Sequence, residues 1–366
     1  VLTGLGELFT AGATVDWTAL FDAVPATRVD LPTYAFQRQR YWLRPRRRDT
    51  SLSGHPLLGA VVSLAGGEGR VWTGRLSVQE QPWLADHVVL GAVVVAGAVF
   101  VELALHAGAE VGTPVIRELV LQTPLVLPEH GGVQVQISIA EPGDTGDRTL
   151  KIYSRPDGDA DAVWTQHAAG VLAADNAAAG EAVGDIWPPS GAVEVALGDA
   201  YERLARHGYE YGPAFQGLRR VWRQGDDLLA EVSSPDTSDD FLVHPALLDA
   251  ALQAVLAVAA SGEGDAASVS LPFAWNGVSL NASGADFLRV RLSPRGAGAM
   301  SVALADRDGQ PVGSVRSLVT RPVSTDQLTP PTSIDSLYAV EWQPVVPGEP
   351  VEGLETYGPQ VSGRPV

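Results

Sequence analysis

The chain has 366 residues, 45% of them hydrophobic and 19% charged, which is enough apolar material for a sizeable globular core. A formal net charge of −18 argues against nucleic acid or an anionic membrane as its main partner. There is no cysteine, which excludes disulfides, thiolate nucleophiles and Cys-ligated metals and suits a reducing compartment.

In chain order, Leu5–Phe9 and Trp17–Phe21 read as two short helical pieces. Residues 28–43 follow, where Pro32 and several aromatics suggest an extended segment lying on another surface, and then the basic run Arg44–Arg48. No signal-like leader is visible, and every apolar run breaks well before the ~18 residues of a membrane span, so we expect a cytoplasmic protein. From Ser51 the texture becomes strand-like. Arg70–Val78, Leu150–Tyr153 and Val163–Val171 read as strands, and Val133–Ile139 alternates most cleanly, with apolar residues on the odd positions. His167, in the last of the first three, is expected to face solvent. Between them His87 precedes a long apolar run with two glycines, and Phe100 to Gly108 reads as a buried helix.

Residues 174–195, rich in Ala, Gly and Pro, read as a linker. Asp199–His207 is a short amphipathic helix, and Gly208–Phe215 a turn rich in glycine and aromatics. Strands are expected at Leu228–Val232, Phe287–Leu292, Met300–Leu304 and Val312–Thr320, with Asp308-Gly309 as a hairpin turn before the last. Pro245–Ala260 is one long helix among them. The second half thus repeats the first in outline: one apolar helix and a sheet to wrap it. Pro330-Pro331 marks a further boundary, and Leu337–Pro344 reads as a strand whose partners lie elsewhere.

Two stretches carry chemistry. An imidazole just before a buried helix can handle a proton while the helix N-terminus, with its unpaired N–H groups, holds an anionic oxygen; the plainer alternative is a hydrogen-bonded core histidine. In the second stretch, Asp249 and Gln253 are polar breaks in an otherwise apolar helix, spaced i and i+4 on one face. Burial raises a carboxyl pKa, and a neutral carboxylic acid is a proton donor. Alternatively, Asp249 serves the first turn of its helix. No Gly-x-Ser-x-Gly elbow, Walker loop or complete Gly-x-Gly-x-x-Gly occurs, and no histidine pair has metal-ligand spacing, so no metal site is expected.

Four ordered motifs carry a resemblance. His87–Ala96 is similar to His-x-x-x-Gly-x-x-x-x-Pro, and Gly208–Phe215 matches Gly-Tyr-x-Tyr-Gly-Pro-x-Phe. Asp249 and Gln253 match Asp-x-x-x-Gln/His, and Leu271–Trp275 is similar to Leu-Pro-Phe-x-Trp. The chain resembles the dehydratase domain of a modular type I polyketide synthase. The resemblance implies an α+β double hot-dog fold, two antiparallel sheets each wrapping a long central helix. It divides the chain into a post-acyltransferase linker (1–50), an N-terminal hot-dog half (51–175), an inter-half linker (176–195) and a C-terminal half (196–326). Residues 327–366 would be a linker with the first strand of the following reductase-region domain.

The implied substrate is a 3-hydroxyacyl thioester on the phosphopantetheine arm of an acyl carrier protein, with no cofactor of the domain's own. His87 would take the proton from C2, and Asp249 would protonate the leaving C3 hydroxyl, giving an α,β-unsaturated thioester and water. Gly91 would offer a backbone N–H at the helix entrance, Gln253 would orient Asp249, and Tyr211 would add a hydrogen bond. Ala96, Gly97, Pro213, Leu271, Phe273 and Trp275 would face the substrate. The implied partners are the carrier protein, the neighbouring acyltransferase and ketoreductase-region domains, and a second copy in a homodimer; Arg219, Arg220 and Arg223 are a candidate docking patch. Ala96 stands where the motif has proline, so two alternatives accompany simple dehydration: a variant that shifts the double bond or cyclises, and a silent dimeric scaffold.

Overall fold

The computed structural model describes residues 2–20, 54–65, 67–159, 161–174, 183–184, 186–234, 240–260, 269–296 and 298–328. The segment 28–48, residues 176–182 and 185 of the expected inter-half linker, and the strand expected at 337–344 lie outside them. The chain divides into two units, Val1–Arg48 and Asp49–Val366. In the first, helix α1 (Leu2–Thr10) is followed by a 3-10 turn at Thr18–Leu20, and the Phe9 and Trp17 rings meet edge to face at 5.6 Å.

The second unit begins with β1 (Val61–Ser63), β2 (Arg70–Leu76), a short hairpin of β3 (His87–Val89) and β4 (Ala92–Val93), and helix α2 (Gly97–Glu110). Next come β5 (Val115–Leu121), β6 (Val133–Ile139), β7 (Arg148–Pro156) and β8 (Thr165–Ala173). Its second half carries β9 (Val193–Val195), α3 (Ala200–Arg206), β10 (Tyr209–Tyr211), β11 (Leu218–Gln224) and β12 (Asp227–Ser233). Helix α4 (Pro245–Ala259) and strands β13 (Ser270–Leu280), β14 (Phe287–Gly296), β15 (Ala299–Ala305) and β16 (Pro311–Pro322) complete it.

Each half wraps one helix, as a double hot-dog does. The two sheets are continuous: β5 pairs antiparallel with β13, with Leu119 opposite Trp275, and thirteen strands run in the order β1-β2-β6-β7-β8-β5-β13-β16-β15-β14-β12-β11-β9. Pattern explains the clearest elements. In β6 the odd positions Val133, Val135, Ile137 and Ile139 are buried and the polar even ones are not, the period of a half-covered strand. Helix α2 has Gly97, Gly108 and two valines, Val99 and Val101, all poor helix formers, so tertiary burial must hold it. Ten of its residues are buried, and ~1.5–3 kcal/mol for each fully buried Val, Leu or Phe outweighs ~1 kcal/mol for each glycine. Helix α4 starts on Pro245, with the His244 Nδ1 accepting the Ala246 N–H at 3.2 Å as its cap.

Two expectations are corrected here. His87 does not adjoin the helix: it opens β3, and α2 begins at Gly97. Leu90 and Gly91, with φ of 51° and 79°, reverse the chain in a two-residue hairpin loop, and β-branched Val93 and Val94 favour extended backbone. Gly91 is therefore an exposed hairpin residue, not the helix entrance. His167 does not face solvent. The β7–β8 register shifts between Ile152 and Tyr153 and leaves His167 as an extra residue turned inward, where it meets Ser154 Oγ at 2.7 Å and the Thr123 carbonyl at 2.9 Å. Burial pushes its pKa down.

Candidate active site

His87 and Asp249 come from different halves and face each other inside the protein, 4% and 6% exposed, with His87 Nε2 3.8 Å from Asp249 Oδ1. The β3–β4 hairpin fixes the imidazole. Its Nδ1 lies 2.8 Å from the Val94 carbonyl, which can only accept, so Nδ1 carries the hydrogen and Nε2 keeps its lone pair towards Asp249.

Asp249 stands on the first turns of α4 and takes no part in capping, a role His244 fills. Burial raises its pKa, while His87 and a hydrogen bond from Gln253 oppose the shift. Gln253 is wholly buried and fixed at both ends of its amide: Nε2 donates to Asp249 Oδ2 at 3.1 Å and to the Phe215 carbonyl at 3.0 Å, and Oε1 accepts from Tyr201 Oη at 3.0 Å. Tyr201 Oη in turn accepts the Leu218 N–H at 3.0 Å, and burial pushes this phenol up to about 12. Sequence reasoning missed Tyr201; an aromatic with a polar tip on the inner face of a short amphipathic helix is the signal that could have found it.

The expected turn after Gly208 begins instead as strand β10, which pairs with β3 so that Tyr211 stands opposite His87. Its phenol is pushed well above the ordinary range, by burial first and then by Asp249, so it stays a donor. The 3-10 turn Pro213–Phe215 behind it is pinned by Asp86, a second residue that sequence reasoning missed. The Asp86 carbonyl accepts the Gly212 N–H, and its side chain accepts the Ala214 N–H, both at 2.8 Å. Gly212 is needed for room, because a Cβ there would overlap the Asp86 side chain.

Two cavities of about 160 and 80 Å³ meet at His87, Asp249, Leu271 and Pro272. The larger adds Gly97, Phe100 and Phe273 and has a polar end at Gln122, Thr123, Arg321 and Gln327. The smaller is apolar, with Leu252, Val255, Leu256, Met300 and Leu318, and also holds Tyr211 and Gln253. Gly97 lets α2 start close to the wall, since a Cβ there would stand 3.1 Å from Leu121 Cδ1 and from Pro272 Cβ. A register shift between Pro272 and Ala274 in the β13–β16 pairing lies beside the site.

Gly91, Ala96, Pro213 and Trp275 line neither of these cavities. Trp275 is wholly buried in the core, and Pro213 begins the exposed side of its turn. Ala96 is 1% exposed with φ −58° and ψ 143°, the φ that a proline ring would impose. The expected arginine patch lies on β11, where Arg220 bonds both carboxyl oxygens of Glu194 at 3.0 and 3.1 Å and Arg219 bonds Ser233. Among the described residues no cluster of three or more His, Asp or Glu side chains is arranged to hold a metal, and no helix is long and apolar enough to cross a membrane.

Residues 55–155 match the family model described as "Polyketide synthase dehydratase domain", and residues 180–330 match "Polyketide synthase dehydratase N-terminal domain". Polyketide synthase GfsE of Streptomyces halstedii is 49% identical over 363 residues, 95% of this chain but 10% of that synthase. The dehydratase domain from the terminal module of the rifamycin polyketide synthase is 44% identical, with a TM-score of 0.69 over 74% of this chain and 97% of that one. The bifunctional dehydratase-cyclase domain in ambruticin biosynthesis is 42% identical, with a TM-score of 0.69 over 75% and 98% of the two chains.

Proposed function

The chain belongs to the polyketide synthase dehydratase family, and we propose that it removes water from a 3-hydroxyacyl thioester delivered on the phosphopantetheine arm of an acyl carrier protein. The observation that carries the proposal is the facing pair. An imidazole with a free Nε2 lone pair and a carboxyl whose pKa burial raises stand 3.8 Å apart where the two cavities meet. Groups that close can address adjacent carbons of one bound chain. His87 Nε2 takes the C2 proton, the C2–H electrons form the C2=C3 bond, and the C3–O bond breaks as Asp249 gives its proton to the leaving hydroxyl. The imidazolium and carboxylate left behind are reset by return of the proton.

The first N–H groups of α2, at Gly97 and Ala98, have no carbonyl upstream within the helix. Gly97 lines the larger cavity, so the thioester oxygen is stabilised there as negative charge develops on it, a role taken over from Gly91. The polar end of the larger cavity suits the pantetheine arm, with Arg321 placed for its phosphate, and the apolar smaller cavity suits the acyl chain. Gln253 and Tyr201 orient Asp249, and Tyr211 donates to it or to the leaving hydroxyl.

Dehydration is favoured over a double-bond shift because Gln253, bonded at 3.1 Å, supports an acid that a shift between C2 and C4 would leave without a task. Ala96 keeps the proline φ and leaves the helix entrance as the motif would have it. Within a longer synthase the domain would work as a cytoplasmic homodimer beside acyltransferase and ketoreductase-region neighbours. The test is to incubate the chain with a 3-hydroxyacyl carrier protein and weigh the acyl group. Loss of one water is expected, with NMR of the product separating a plain alkene from a shifted one or a ring; an unchanged mass would exclude dehydration, and deuterium exchange at C4 of an enoyl thioester would then separate a double-bond-shifting domain from a silent one.

A further inference from the structure

Glu102 lies on α2, in the half that carries His87, and is 1% exposed. Its carboxyl reaches across to the other half: Oε1 accepts the Leu242 N–H at 2.7 Å and Oε2 the Val243 N–H at 3.1 Å. Those residues directly precede His244 and Pro245, where α4 begins, and Asp249 follows about one turn later. Burying a carboxyl among apolar neighbours is costly unless its oxygens are satisfied. Here both are satisfied by backbone of the segment that launches the helix bearing Asp249.

The surroundings reinforce the clamp. His55 Nε2 lies 3.5 Å from Glu102 Oε1, and its ring meets Phe241 edge-on at 5.5 Å. Phe241 and His244 are 4.9 Å apart, and Trp83 packs on them at 6.0 and 5.1 Å. Trp83 belongs to the 3-10 turn Pro82–Asp86 that leads straight into His87. One contiguous cluster thus joins the approach to His87, the middle of α2 and the approach to Asp249.

We propose that Glu102 is a positioning residue: by holding the backbone of Leu242 and Val243 it sets where α4, and with it Asp249, stands relative to His87. The proposal rests on the assignment of those two residues as the reacting pair. Reacting groups must be held within ~0.5 Å, and a misplacement of ~1 Å remote from the chemistry can cost ~10²-fold in rate. A clamp across the two halves acts on that separation, whereas a general packing residue acts on stability.

Glu102→Gln keeps the shape but not the clamp, since one amide oxygen accepts one N–H and the NH₂ group faces the other donor. The expected result is a kcat for a 3-hydroxyacyl thioester lowered about tenfold or more at unchanged KM, with faster hydrogen exchange at Leu242 and Val243. Ile137→Val, which trims the core of β6, is the stability control: it should lower Tm and spare kcat. A wild-type kcat in Glu102→Gln, or a kcat loss that the control reproduces at equal loss of Tm, overturns the proposal. If Glu102→Gln fails to fold, Glu102→Asp decides, because its shorter reach cannot keep both contacts: lowered kcat at unchanged KM supports the role, and a kcat within about twofold of wild type overturns it. His87→Ala, measured alongside, separates two failures. Turnover in His87→Ala removes the reacting pair itself; an inactive His87→Ala beside a fully active Glu102→Gln removes the positioning role alone.

Discussion

Tyr211 and His87 are directly paired residues of the antiparallel β10–β3 ladder, and their rings meet edge-on with centroids 5.6 Å apart. A ladder between the halves therefore fixes the phenol beside the imidazole, and α4 supplies Asp249 to the same cavity. The phenol stays protonated because burial and Asp249 raise its pKa well above the ordinary range, so it can only donate to a carboxylate or an oxygen that gathers charge. Tyr211→Phe keeps the ring and the ladder. One hydrogen bond worth about 1 kcal/mol should appear as a kcat loss of about five- to tenfold at unchanged Tm. Unchanged kcat would make Tyr211 a packing residue.

Asp249→Asn separates catalysis from stability. Without a transferable proton, turnover should fall by about 10²-fold or more. Stability should move the other way. The folded-state pKa of Asp249 is raised above the ordinary 3.8. Between those two values the unfolded chain releases a proton that the folded chain keeps, so stability drains away as pH rises through the window and stays lower above it. Asparagine has no such proton. The Tm advantage of Asp249→Asn should be small at acid pH, grow as pH rises from 3.8 to the folded-state pKa, and level off above it. A gap independent of pH would mean that burial does not hold this carboxyl neutral.

Legibility in the sequence followed the range of the physical signal. Strand β6 was readable residue for residue because alternation is local, and α4 because Pro245 opens an apolar run interrupted by Asp249 and Gln253 alone. Strands β3, β4 and β10 span two or three residues each, too few to show a period, and β10 finds its partner in the other half. His167 turned inward through a register shift that only the pairing with β7 creates. Within the site, His87, Asp249, Tyr211 and Gln253 were legible as motifs. Tyr201, Asp86 and Glu102 were not, because each bonds backbone N–H groups of a remote segment, and residue type does not encode such partners.

Ala96→Pro tests whether the missing ring matters. Ala96 already holds φ −58°, and its N–H donates to no described residue, so a proline needs no change of φ and breaks no hydrogen bond at the helix entrance. Stability should be unchanged or raised by about 0.4–1 kcal/mol through the unfolded state, with dehydration of a simple 3-hydroxyacyl thioester preserved. Loss of a C4 deuterium-exchange activity on installing the proline, in a domain that leaves 3-hydroxyacyl substrates untouched, would instead identify a double-bond-shifting enzyme.

Arg321 addresses delivery of the substrate. It lies at the polar end of the larger cavity with its guanidinium 3.2 Å from the centroid of Phe273, beside Gln122, Thr123 and Gln327. The strongly acidic chain, at −18, would repel an acidic carrier protein, so a cation near the cavity mouth has a local task that net charge opposes. A guanidinium can take a phosphate by paired hydrogen bonds, and stacking on Phe273 fixes its plane. Arg321→Glu should therefore raise KM about tenfold or more for a phosphopantetheine-borne substrate and leave a small phosphate-free thioester almost unaffected, with kcat preserved for both. Arg220→Glu on β11, where Glu194 already engages the arginine, should change neither KM by more than about twofold. Equal losses on both substrates in Arg321→Glu would assign Arg321 to the cavity wall, and a selective loss in Arg220→Glu would return the docking surface to β11.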